Sequence, residues 1–125
     1  MSVIHLKRAY DRPSPDDGLR VLVERLWPRN LDEKHAKVDL WLKEVAPSAK
    51  LHQKFGESPD PTRWAEFEQL YRRELQNKRK SIKQLEKEQK EGLVTLLHAA
   101  HNPDHSSAMV LKRFLEETTR ATEEP

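Results

Sequence analysis

The stretch Asp16-Asp17-Gly18-Leu19-Arg20-Val21-Leu22-Val23-Glu24-Arg25-Leu26-Trp27-Pro28-Arg29-Asn30 joins a turn, a strand and a charged, aromatic exit end to end. Asp16, Asp17 and Gly18 signal a turn, because aspartates bond their own backbone and glycine reaches positive φ at no steric cost. Leu19 to Glu24 then reads as a buried strand, apolar and β-branched at Val21 and Val23. Pro28 blocks its continuation, since proline lacks the N–H of a further ladder bond. In an α/β sheet, ligands sit just past the carboxyl ends of the strands. Arg25, Trp27 and Arg29 are therefore candidate ligand-binding residues.

On the amino-terminal side, Val3, Ile4 and Leu6 begin a strand reaching about Arg8 or Tyr10, and the turn from Pro13 to Gly18 makes it the neighbour of Leu19 to Glu24. On the carboxyl-terminal side, Asp32 caps a brief helical turn over residues 31–35, and Val38, Leu40 and Leu42 alternate with polar or aromatic residues, predicting a strand over 38–45. Ser48 caps a short helix that ends at Phe55-Gly56, and a loop follows through Pro59. Asp60-Pro61 opens a helix whose Trp64, Phe67, Leu70, Tyr71 and Leu75 recur at spacings of three and four.

Residues 78–91 form a further helix, with an apolar stripe of Ile82 and Leu85 only. Leu93 to His98 is a continuous buried strand, and residues 99–103 lead into a helix with Ala108, Leu111, Phe114 and Leu115 facing inward. The expectation is one α/β domain over residues 1–117, a small, mostly parallel sheet flanked by helices, with 19–24 and 93–98 as central strands. A frayed tail is expected over 118–125.

Three blocks carry a resemblance: PSPDDGLRVLVERLWPRN at 13–30, DLWLKEVAPS at 39–48 and LVTLLHAAHNPDHSSAMVLKRFLEE at 93–117. Together, and in this order, they resemble the DUF488 family of small bacterial proteins, in its YeaO-like branch. The resemblance spans residues 4–117 and implies an α/β fold and a bacterial cytosolic setting, but no reaction. The chain departs from the family pattern at Glu24, where Asp is typical, at Asn30, where Gly is typical, and at Asn102 and Ser106, where Asp and Asn are typical. No catalytic role is carried over to these positions.

The chain has 125 residues, enough for one core without disulfides, and no cysteine, which excludes a thiol nucleophile or a Cys-ligated metal. It lacks a run of about 18 apolar residues, and its first ten residues carry charges where a signal peptide needs apolar ones, so no membrane association and a cytoplasmic location are expected. Its 23 basic and 21 acidic residues leave a formal net charge of +2, short of the excess typical of a dedicated nucleic-acid domain.

Arginine forks bind oxyanions and an indole stacks on a planar ring, so Arg25, Trp27 and Arg29 suit a nucleotide or phosphorylated metabolite. Alternatively, Trp27 is core and the arginines pair with Glu24, Asp32 or Glu33. Asn102, Ser106 and the free N–H groups of the last helix suit an anion, or they simply cap that helix.

His98, His101 and His105 are close enough in sequence to invite a zinc site, but they lack HExxH-type spacing, and no metal or cofactor is expected. If catalysis occurs, His105 or His98 is the proton carrier. Asp16 and Asp17 are turn formers before they are an acid/base pair. In 78–91, six bases face three acids, so Lys80, Lys83 and Lys87 could track a phosphate backbone; the bland alternative is a solvated face. An exposed Trp41 or Trp64 would instead point to a non-catalytic interaction domain.

Overall fold

A computed structural model describes residues 4–56 and 60–123; Val3, Pro59 and the last two residues of the expected tail lie outside them. The described strands are β1 (Ile4–Arg8), β2 (Leu19–Leu22), β3 (Leu40–Trp41) and β4 (Val94–His98). The α-helices are α1 (Glu33–Ala36), α2 (Ala49–Phe55), α3 (Trp64–Gln76), α4 (Arg79–Glu91) and α5 (Ser107–Glu123). The sheet order is β1-β4-β2-β3, and every pairing is parallel.

β2 and β4 are therefore central, as their apolar runs predict, but β1 and β2 are not neighbours. β4 lies between them, pairing Ile4 with Val94 on one side and Leu19 with Val94 on the other. The reason is burial. Every residue of β4 is at most 2 % exposed, so it needs partners on both edges, whereas β1 carries His5, Lys7 and Arg8 and tolerates the rim. The return from β1 to β2 demands the Gly18 turn. A Cβ there would sit 2.2 Å from the Leu93 oxygen, and its φ of +63° is glycine territory.

The expected strand over 38–45 is real only at Leu40–Trp41. Asp39 spends its carboxylate on the Arg20 N–H, and beyond Leu42 the chain coils into a tight turn that buries Val45. β2 likewise stops at Leu22 as a strand, although the Val23 N–H still bonds the Leu97 oxygen. The backbone of α5 is helical to Glu123, past the Thr118 at which fraying is expected.

The two faces of the sheet are covered differently. Ile4, Val21, Val23, Val94 and Leu96 meet Phe67, Tyr71 and Leu75 of α3, Ile82 and Leu85 of α4, and Leu111 and Leu115 of α5. Fully burying each such side chain contributes about 1.5–3 kcal/mol. The opposite face has a smaller apolar cluster, in which Ala9, Leu22 and Leu97 are buried under Trp27, Leu31, Val38 and Trp41 from the loops and β3. We call these the helix face and the loop face. No helix among the described residues is long and apolar enough to cross a membrane.

Candidate functional site

Because all strands are parallel, β2 and β4 deliver residues 24–30 and 98–106 to one carboxyl edge. The chain leaves β1 and β2 toward the loop face and leaves β4 toward the helix face. The end of β4 is thus a topological switch point, the usual place for a crevice in an open sheet. The two segments are tied together there. Glu24 extends the ladder with its side chain, Oε1 accepting the Ala99 N–H at 2.9 Å, while its carbonyl accepts the Trp41 indole N–H at 2.7 Å.

Trp27 is half-buried, edge-on to Trp41 with ring centroids 5.4 Å apart, and its indole N–H donates to the Leu31 oxygen. Arg25 and Arg29 are exposed and make no ion pair with any described residue. Of the acids expected to pair with them, Glu24, Asp32 and Glu33, none does so, and Asp32 is occupied by the Lys34 N–H and by His35. Tyr10 ties this exit to the loop after β1, its hydroxyl donating to the Arg29 carbonyl at 2.7 Å.

On the helix face, Asn102 caps the turn at Pro103–His105 by accepting the Asp104 N–H, and Ser106, 2 % exposed, accepts the Met109 N–H at the start of α5. Both residues thus serve as caps, and His105 lies with its ring 5.0 Å from that of Trp64. His98 is 1 % exposed and its Nδ1 accepts the Ala100 N–H, leaving the proton of the neutral ring on Nε2. Burial, reinforced by the Arg8 charge and opposed by Asp11, holds its pKa below the ordinary histidine value. Arg8 is its register partner on β1, and the Arg8 Nε is buried without a hydrogen-bond partner among the described residues. Among those residues, no three His, Asp or Glu side chains converge as a metal would require.

A well-connected buried polar group is Asp17, 6 % exposed and read from the sequence as a turn former. It does close that turn by accepting the Ser14 N–H, but it also binds Arg20 at 2.7 Å and Lys7 at 3.1 Å. Burial pushes its carboxyl up, and the Ser14 N–H, Lys7 and Arg20 together outweigh this and hold it below the usual carboxylate range. A signal for this hub existed in the sequence. Arg20 sits inside an apolar central strand, where a charge survives only if paired.

A family model described as "Inactive DUF488-N3 subclade" matches residues 3–125. The chain is 38 % identical over 113 residues to the uncharacterized protein YeaO of Escherichia coli (strain K12), covering 90 % of this chain and 96 % of that one. It is 34 % identical over 112 residues to the uncharacterized protein Rv3073c of Mycobacterium tuberculosis (strain H37Rv), with coverage of 90 % and 92 %. No solved structure matches. With a match along nearly its whole length, and with the turn, the central strands and the strand-end segments inside it, this chain belongs to the DUF488-N3 inactive subclade.

Proposed function

We propose that the carboxyl edge of the sheet binds a small anionic ligand of the nucleotide or phosphorylated-metabolite class, without turning it over. One observation carries this reading. Arg8, Arg25 and Arg29 end or follow strands at that edge, and none has a carboxylate partner among the described residues, whereas Arg20 and Arg72 are fully engaged. The acids beside them are already occupied: Asp11 accepts the Arg8 N–H, Glu24 the Ala99 N–H and Asp32 the Lys34 N–H. Guanidinium groups left in this state suit an oxyanion.

The word "inactive" in the family description supports binding without turnover. Trp27 then shapes the edge from within, since its indole is committed to Trp41 and Leu31. His98 remains the candidate proton carrier if a reaction is found, with its proton on Nε2. A thermal-shift panel of nucleotides and sugar phosphates tests the proposal. A ligand at about a hundred times its dissociation constant adds roughly 2.7 kcal/mol of stability, and silence across the panel removes it.

A second reading has its own support. Lys80, Lys83 and Lys87 are exposed on α4, outside every ion pair among the described residues, while Ile82 and Leu85 anchor the opposite side of that helix. A nucleic-acid backbone fits such a stripe. Binding would then weaken by near one log unit per contacted phosphate for each tenfold rise in salt. If Lys80→Gln/Lys83→Gln/Lys87→Gln retains oligonucleotides at low salt like the wild type, α4 is a solvated face. Trp41 and Trp64 are half-buried and packed, and the exposed large apolar groups among the described residues are Leu26 and Tyr10, so an interaction-domain reading does not have the exposed tryptophan that would favour it.

A further inference from the structure

A cavity of about 510 Å³ opens between residues 9–13, which follow β1, and residues 30–37, which follow β2. This is the size of a small-ligand pocket, which spans about 300–1,000 Å³. Arg12 stands on one wall and Lys37 on the other; both are exposed, and neither side chain has a partner among the described residues. Buried Ala9 and Ala36 and half-buried Leu31 supply apolar surface between them. The cavity's acids, Asp11 and Asp32, are held by the backbone N–H groups of Arg8 and Lys34.

Both walls are fixed from beneath by the same carboxylate. Lys7 binds Asp17 and donates to the Arg12 carbonyl at 2.7 Å. Arg20 binds Asp17 and donates to the Ala36 carbonyl at 2.7 Å and the Lys37 carbonyl at 3.2 Å. To present both carbonyls to one guanidinium, Lys37 takes a left-handed conformation at φ 47°. Tyr10 adds a third tie through its bond to the Arg29 carbonyl. The backbone that carries the two cations is therefore held in place before any ligand arrives, so that binding orders the two side chains and not the loops.

We propose that this cavity seats the anionic ligand: a mononucleotide-sized molecule whose anionic group meets Arg12 and Lys37 and whose flat body covers the apolar floor. This rests on the anion-binding reading of the edge but places the ligand on the loop face, away from His98 and the α5 start. The test is calorimetric titration of the full chain with AMP, with ribose 5-phosphate and inorganic phosphate as probes lacking the base. Wild type should prefer AMP. Arg12→Gln/Lys37→Gln, two exposed substitutions, should weaken AMP binding by about ten-fold or more, the scale of lost hydrogen bonds to a charged group. Lys50→Gln/Lys90→Gln, which removes two exposed charges on α2 and α4, should bind AMP within about two-fold of wild type, because exposed charges farther than a Debye length from a site are screened.

If AMP binds Arg12→Gln/Lys37→Gln as tightly as wild type but Arg25→Gln/Arg29→Gln poorly, the cavity assignment fails and the edge reading stands. If wild type binds no member of the wider anion panel, the edge reading fails and the cavity assignment fails with it. Equal affinity for AMP and inorganic phosphate overturns the role given to the apolar floor.

Discussion

The helix face and the loop face of one four-stranded sheet are held together by different physics. The helix face is a continuous apolar core in which Leu96, Val110 and Leu111 are fully buried against three long helices. The loop face has little apolar area and is fastened through Asp17, whose carboxylate joins Lys7 and Arg20 and, through them, the two loops that flank the cavity. The first arrangement gives stability that is spread over many contacts. The second concentrates it in one charge network and fixes the positions of the loop carbonyls that it binds. A face built this way gives up redundancy and gains preset geometry.

Substitutions can break that contrast. Asp17→Ala leaves buried Arg20 uncompensated, and removing one partner of a buried pair costs about 3 to 5 kcal/mol. Chemical denaturation measures this, and titration of AMP into the folded variant should show lost binding. Leu96→Ala, on the other face, should cost about 2 to 5 kcal/mol by opening a cavity. Its AMP affinity should stay at the wild-type level. Equal loss of binding in both variants would mean that the faces are not separable.

Acid provides a weaker probe of the same contrast. The folded-state pKa of Asp17 is below its unfolded value, so its contribution is complete above the unfolded value, about 3.9, and lost as pH falls through the folded one. His98 is also depressed, so the unfolded chain gains a proton first, and stability starts to fall below about pH 6.5. Denaturation between pH 7 and 3 should show both phases. His98→Gln should remove the upper one, and Asp17→Asn should shrink the lower one, to which exposed Asp32, Asp60 and Glu66 also contribute. The smallest effect belongs to Arg25→Ala and Arg29→Ala. Being exposed and unpaired, each should change stability by no more than about 0.5 kcal/mol. A loss of several kcal/mol in either would recast that exit as a structural corner.

What could be read from the sequence was local. The Gly18 turn, the Ser48 and Asp32 caps and the α3 stripe depend on residues within a few positions of one another, and they stand where the sequence places them. Strand order depends on which strand can afford an edge, and the chain's proximity of β1 and β2 hides the insertion of β4, which comes more than seventy residues later than β2. Period-two alternation over 38–45 overstates β3, because Asp39 and Val45 answer to Arg20 and to the helix-face core.

At the edge, the arrival of 24–30 and 98–106 on one side followed from parallel pairing. The commitment of Trp27 to Trp41, and the roles of Arg12 and Lys37, needed the third dimension. Of these, only the network around Asp17 left a trace, as Arg20 in an apolar strand.

Amide hydrogen exchange of the full chain, with and without saturating AMP, tests the central claim most directly. The loop-face site predicts slowed exchange at Asp11, Leu31 and Ala36, which line the cavity and whose N–H groups bond within its two segments or to the residues just before them, and unchanged exchange along α4. Slowing confined to α4, or to the 98–106 segment with the loops unaffected, would contradict it.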